Sequence, residues 1–83
     1  MKNQFKPGDL VGSVLGHARA GHGDFRGIIL YIHYSQAHFG QAQMTLMITL
    51  NLNYNKYFQK DYPVNTVTTL QIADLSKWRK INV

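Results

Sequence analysis

The sequence predicts an all-β fold: a small, five-stranded barrel built as a single domain over residues 1–83. Two patterns lead to this prediction. Apolar and polar residues alternate with period two over one long stretch, and clusters of turn-forming residues separate several short apolar runs. Strands this short hide their edges best when the sheet curls closed, which favours a barrel over an open sheet.

The alternation lies in the middle of the chain and predicts a half-buried strand with the inward residues Met44, Leu46, Ile48, Leu50 and Leu52. A second run, residues 27–34, is rich in β-branched and aromatic residues and predicts a strand with Ile28, Leu30, Ile32 and Tyr34 on one face. The segment between them, residues 35–42, is polar and contains Gly40. We therefore expect these two strands to form an antiparallel hairpin.

The first strand is predicted over residues 10–15, directly after a turn at Pro7 and Gly8. Proline fixes one backbone dihedral of such a turn, and glycine permits the unusual ones. Residues 16–26 contain several glycines and show no apolar period, so they are expected to form a long exposed loop.

The chain after the hairpin is predicted to continue with an irregular connection, residues 54–63, and a strand over residues 64–72. Asp74 is placed to cap one helical turn over residues 75–77, because its carboxylate can accept from the exposed backbone N–H groups of that turn. A last strand, residues 78–83, is expected to complete the sheet.

This order of elements resembles the Src-homology-3-like small barrels. Residues 5–11, with Pro7-Gly8-Asp9, look like the turn that opens the first strand in many of them, and Gly27-Ile28-Ile29-Leu30 is similar to their strand after the long loop. Asp74-Leu75 and residues 78–81 look like their closing turn and strand. Small uncharacterised proteins of tailed bacteriophages often have this outline, so the resemblance implies a phage origin.

Endoribonuclease toxins of toxin–antitoxin pairs have a related barrel, but the likeness breaks at the second strand, where they carry Arg-Pro and this chain has Arg26-Gly27. Cleavage of RNA would use His17 and His22 as base and acid, with Arg19 or Arg26 stabilising the charged transition state. Acid–base catalysis needs positioned groups, which a glycine-rich loop does not supply. We therefore expect a non-enzymatic protein and keep RNA cleavage as the lesser alternative.

Composition and sequence patterns argue against disulfide bonds, metal sites, other cofactors and membrane spans. The chain has no cysteine, which excludes a disulfide framework and thiolate metal sites. A metal bound by His17, His22 and Asp24 matches no established ligand spacing, so neither a metal nor another cofactor is expected. The sequence shows neither a signal-peptide pattern nor a membrane-spanning run, which predicts a soluble protein of the host cytoplasm or of a virion.

Two surfaces are predicted to bind a protein partner. The reverse face of the hairpin is expected to carry apolar residues between Thr45 and Thr49, and the segment after the hairpin carries aromatic rings. An apolar patch on an outer sheet face is typical of a partner surface or of self-association. The residues assigned to this role are Ile29, Tyr31, Met47, Tyr54, Tyr57 and Phe58. We expect a virion component or a host-directed adaptor that docks on a virion or host protein.

The alternative partner is DNA or RNA. The net charge of +5 attracts polyanions, and lysines alternate with aromatic rings in residues 54–62. Rings stack on bases while lysines contact phosphates, which is how single strands are held without sequence readout. This alternative uses Lys56, Lys60, Lys77, Trp78, Arg79 and Lys80. The same rings could instead fill the ends of a small barrel, with lysine stems covering them.

Overall fold

A computed structural model describes residues 5–13, 25–52 and 56–81. Within these residues five antiparallel strands form one sheet, so the mainly β prediction is confirmed. The strand order is β4-β3-β2-β1-β5. In chain order the elements are β1 (Leu10–Ser13), β2 (Phe25–Tyr34), β3 (Ala42–Asn51), the helix α1 (Lys56–Asp61), β4 (Val67–Ile72), a 3-10 turn (Leu75–Lys77) and β5 (Trp78–Lys80).

The turn before β1 forms as its residues predict. The Asp9 N–H donates to the Lys6 carbonyl at 3.1 Å, and Gly8 has a φ of +95°. A proline followed by a residue of positive φ defines a type II turn, which favours glycine at the second of these positions. The Gly8 N–H then donates to the Ile29 carbonyl at 2.8 Å, which joins the turn to β2.

The hairpin of β2 and β3 is confirmed, but the predicted inward set of β2 is only half right. Leu30 is an extra residue between the pairs Ile29–Leu46 and Tyr31–Thr45. Such a bulge shifts the alternation by one residue, since one strand gains a position that its partner lacks. Ile29 is therefore buried in the core, 1% exposed, whereas Leu30 is 45% exposed.

A second irregularity alters β3 near its end. Gly27 pairs with Ile48 while Arg26 pairs with Leu50, so Thr49 is the extra residue. Beyond it Leu50 shares the outer face with Arg26, and Leu52 is 63% exposed, which corrects the prediction that both face inward. Met44, Leu46 and Ile48, which precede the bulge, are fully buried as predicted.

The segment after β3 contains a short helix where an irregular connection was predicted. Phe58 and Tyr62 lie four residues apart and both pack against the core. The Asn51 side-chain amide donates to the Tyr62 carbonyl at 2.9 Å and to the Phe58 carbonyl at 3.4 Å. The Phe58 carbonyl also accepts from the Tyr62 N–H at 3.1 Å, so the bonds from Asn51 add to this last helical bond and attach the end of α1 to β3.

The helical turn after Asp74 is present as a 3-10 turn, and β5 follows it over Trp78–Lys80, shorter than the predicted strand of residues 78–83. The Asp74 carboxylate accepts from the Ser76 N–H at 3.0 Å, which caps the turn. The buried Ser13 hydroxyl donates to the Lys77 carbonyl at 3.0 Å and so fixes the start of β5 beside β1.

The core lies on the face of the sheet toward which α1 packs, and its centre is aromatic. Phe25 is fully buried, and its ring makes edge contacts with those of Phe58, Tyr62 and Trp78 at centroid distances of 5.4, 6.1 and 6.3 Å. The face of the sheet turned away from this core is called the outer face below.

Candidate functional site

A row of apolar residues crosses four strands on the outer face. Leu10 of β1 pairs with Ile28 of β2, Ile28 pairs with Met47 of β3, and Met47 pairs with Val67 of β4. Directly paired residues of antiparallel strands project on the same side of a sheet, so the four side chains lie side by side. Leu10, Ile28 and Met47 are half-buried, and Val67 is 59% exposed.

The bulge in β2 adds to this row. Ile29 and Ile32 both face the core, and the two residues between them, Leu30 and Tyr31, are 45% and 56% exposed. We define the apolar patch as Leu10, Ile28, Leu30, Tyr31, Met47 and Val67. Exposed apolar residues are ordinary when isolated, whereas these six are contiguous on one sheet face, which makes the apolar patch a candidate binding surface.

A polar pair borders the patch. Thr45 pairs with Tyr31 on one side and with Thr69 on the other, and the two threonine hydroxyls are 2.9 Å apart. The hydroxyls satisfy each other across the strands, so this part of the outer face stays polar without leaving a group unpaired.

Cationic residues border the patch on the side of β5. Arg79 of β5 pairs with Gly12 of β1, and Gly12 pairs with Arg26 of β2. The two arginines therefore stand two strands apart on the outer face, with about 10 Å between their backbones, and the residue between them has no side chain. The apolar patch is bordered by positive charge at this point.

Asp9 pairs with cations near the start of β1. The Asp9 carboxylate lies 3.8 Å from the Lys6 ammonium and 3.6 Å from the Lys80 ammonium, and it accepts from the Lys6 N–H at 3.0 Å. Desolvation alone would raise the pKa of Asp9, but the hydrogen bond from Lys6 and the two nearby ammonium groups outweigh it and lower the pKa. Asp9 stays ionised and holds Lys80 beside β1.

The residues predicted to bind a protein separate into three places. Tyr31 and Met47 lie in the apolar patch, whereas Ile29 lies in the core, so its assignment to a docking surface is wrong. Phe58 is half-buried and packs against the core, so its ring contributes to the fold. Tyr57 is 81% exposed on α1, away from the outer face. Tyr54 lies outside the described residues.

The residues predicted to bind nucleic acid are also divided. Trp78 is 6% exposed and belongs to the core, so its assignment to a stacking surface is wrong. Lys56 and Lys60 are exposed on α1, one helical turn apart, and Lys77, Arg79 and Lys80 are exposed around β5. The basic residues are thus available, but the ring expected to stack beside them is used in the core.

Comparison with protein-family models, curated proteins and solved structures gives no match.

The described residues contain no helix that is long and apolar enough to cross a membrane. They also contain no group of three or more histidine and acidic side chains that could hold a metal ion. The predicted catalytic or metal-binding residues His17, Arg19, His22 and Asp24 lie outside the described residues. Arg26 is a half-buried residue of β2.

The sequence interpretation missed a groove beside the connection between β2 and β3. The groove has a volume of about 590 Å³ and no lysine, arginine or acidic residue in its lining. Its polar side chains come from His33, Ser35, Gln36, Gln41, Gln43 and Gln71. The clustering of glutamines around residues 36–43 was the available signal, but Gln71 is brought to the groove only by the pairing of β4 with β3.

Proposed function

We propose that this protein is a non-catalytic binding module that docks on a protein partner through the apolar patch. The observation that supports this proposal is the unbroken row of Leu10, Ile28, Met47 and Val67 across four strands, widened by Leu30 and Tyr31. The paired strands fix the backbone that carries these side chains, so little backbone conformational entropy is lost when a partner covers them.

The chemistry of the patch favours a partner with an apolar centre and acidic residues at its border. Arg26 and Arg79 flank one side of the patch, and the whole chain has a net charge of +5. Complementary charges at the rim of an interface speed association and select the partner, while the apolar centre supplies most of the affinity.

The finer fold assignment belongs to the same proposal. A Src-homology-3-like arrangement is supported by the strand order β4-β3-β2-β1-β5 and by the 3-10 turn between β4 and β5. With the resemblance described above, this favours a phage-encoded protein that acts as a virion accessory or as an adaptor on a host protein.

Charge introduced into the patch should strongly weaken partner binding. We expect Tyr31→Asp to weaken the affinity for a captured partner by at least about thirtyfold, because truncating an aromatic hot-spot residue costs about 2 kcal/mol or more and the new carboxylate would be covered without a partner. The matched control is Tyr57→Asp, since Tyr57 is even more exposed but lies on α1. The measurement is calorimetric titration of each variant with the partner recovered by affinity capture.

The pair of variants separates the two predicted protein-binding surfaces. Loss of affinity in Tyr31→Asp with full affinity in Tyr57→Asp supports docking through the apolar patch. The reverse result would assign docking to α1, and unchanged affinity in both variants would remove both surfaces from the proposal.

Nucleic-acid binding is a second candidate, favoured by the exposed lysines of α1. Lys56 and Lys60 lie one helical turn apart with the exposed Tyr57 between them. Exposed ammonium groups and an exposed ring are the groups that contact the phosphates and stack on the bases of a single strand.

This second candidate predicts binding that weakens steeply with salt. The slope of log affinity against log salt is negative, and it should become shallower by about 0.7 for each phosphate of a single strand that the protein no longer neutralises. The double variant Lys56→Ala with Lys60→Ala should therefore have a slope shallower by about 1.4. Fluorescence anisotropy with labelled single-stranded DNA and RNA, repeated at several salt concentrations, measures this slope. Lys6→Ala is the control, because Lys6 lies beside Asp9. An equal slope in the double variant would contradict binding through α1.

A further inference from the structure

The two edges of the sheet differ sharply in how they are protected from pairing with other strands. β5 forms one edge, has three residues and contains Arg79 and Lys80. β4 forms the other edge and has six residues, Val-Thr-Thr-Leu-Gln-Ile, with no charge and no proline. Natural sheets block unwanted pairing with short edges, lysines and prolines, and β4 has none of these features.

The backbone groups of β4 that point away from β3 can be assigned. Ile48 accepts from the Asn65 N–H at 2.8 Å and donates to the Thr66 carbonyl at 2.9 Å, so the backbone of Ile48 points toward the β4 side. Directions alternate along a strand, so Leu46, Met44 and Ala42 also point toward β4 and bond their partners Thr68, Leu70 and Ile72. The N–H and carbonyl groups of Val67, Thr69 and Gln71 therefore point to the outer side of the edge.

We propose that β4 is a self-association site, at which two copies of this chain pair antiparallel about a twofold axis through Thr69. In this register Val67 lies opposite Gln71 of the second copy, and Thr69 lies opposite its own counterpart. All three residues use outward-pointing groups, which gives about six new backbone hydrogen bonds. The result is a continuous ten-stranded sheet with an isologous interface.

A second copy fits this edge because the register is self-complementary: each residue with outward-pointing groups lies opposite another such residue. Charge then favours β4 over β5 as the edge. Two chains of net charge +5 repel each other, and pairing of β5 with itself would bring Arg79 and Lys80 of both copies together. Pairing through β4 brings no like charges into contact. On the core side, the half-buried Leu70 gains Thr68 of the second copy as its direct neighbour, at the close spacing of a pair without hydrogen bonds.

Self-pairing of β4 would also enlarge the apolar patch. A twofold axis that relates antiparallel strands of one sheet is perpendicular to the sheet, so the outer faces of both copies lie on the same side. Val67, the patch residue on β4, then stands next to the seam in each copy. The proposed dimer offers a protein partner two patches on one surface, but it does not depend on the docking function.

The test is the oligomeric state measured by sedimentation equilibrium up to millimolar concentration. We expect the wild type to form a reversible dimer. In Thr69→Lys the dissociation constant of the dimer should rise at least about tenfold, because the two introduced ammonium groups meet at the twofold axis. The matched control is Gln43→Lys, which adds the same charge to an exposed residue of the outer face one strand away from the edge. It should still form the dimer.

Gln71→Pro provides a second variant, since proline removes an outward N–H and leaves the ladder between β3 and β4 intact. Amide exchange gives an independent readout: the Val67, Thr69 and Gln71 N–H groups should be protected in the dimer and exchange on dilution, while those of Thr68, Leu70 and Ile72 stay protected throughout. A monomeric wild type at millimolar concentration would overturn the proposal. The proposal would also be overturned by a dimer that forms equally well in Thr69→Lys and in which the amide N–H groups of Val67, Thr69 and Gln71 exchange at the same rate at every protein concentration.

Discussion

Phe25→Ala should destabilise the protein by about 3–5 kcal/mol, the largest effect expected from one substitution in this chain. Phe25 is fully buried, and its ring contacts three other aromatic rings, those of Phe58, Tyr62 and Trp78. Removing it forfeits the transfer free energy of the ring, leaves a cavity and separates α1 from β5. Natural domains are stable by only about 5–15 kcal/mol, so this loss is a large fraction of the whole free energy of unfolding.

Urea unfolding followed by circular dichroism measures this loss, and two controls show that it arises from the buried ring. Phe25→Leu keeps most of the apolar volume and should cost less than half as much. Tyr57→Ala removes an equally large ring, but one that is 81% exposed, and should change the free energy of unfolding by less than about 0.5 kcal/mol. Equal losses in Phe25→Ala and Tyr57→Ala would contradict the placement of the aromatic core.

The strands could be predicted from the sequence because period two is a direct consequence of strand geometry. The faces could be predicted only as far as the nearest bulge. Met44, Leu46 and Ile48 face the core as the alternation requires, but the extra residues Leu30 and Thr49 each reverse the alternation that follows them. A bulge depends on how two strands pair, and no local residue pattern in β2 or β3 marks it.

The helix α1 was missed for a different reason. Its six residues include two lysines and an aspartate and bury none of their side chains completely, so no apolar stripe marks the segment. It is held by tertiary contacts, namely the packing of Phe58 and Tyr62 on Phe25 and the two hydrogen bonds from Asn51. Helices this short are marginal without such packing, so the sequence alone favours a loop.

The sequence predicts that the candidate site is an apolar surface of the hairpin, but it does not predict all of the residues that form it. The sequence indicates an apolar outer face around Tyr31 and Met47, and both residues lie in the patch. Leu10 and Val67 join them only through the register of β1 on β2 and of β4 on β3. Register is a long-range property that depends on every paired residue, so the complete row across four strands cannot be read from any one segment.

Trp78→Ala should cost about 3 kcal/mol or more of stability, the second largest effect expected. The side chain is 6% exposed, packs edge-on against Phe25 and begins β5 opposite Ser13. A residue that contacted nucleic acid from the surface would instead be replaced at little cost to stability. The size of the loss in urea unfolding therefore separates a core residue from a stacking residue, with the exposed Arg79→Ala as the control from the same strand.

Fluorescence gives a second, independent measurement, because Trp78 is the single tryptophan of the chain. A buried indole should emit at short wavelength and resist quenching by acrylamide in the folded protein, and unfolding should remove both properties. Addition of single-stranded DNA or RNA should leave the emission of the folded protein unchanged even if the lysines of α1 bind it, because Trp78 packs beneath the surface against Phe25. Quenching of the folded wild type by nucleic acid, together with full stability of Trp78→Ala, would place the indole at the binding surface and return Trp78 to the set of contact residues.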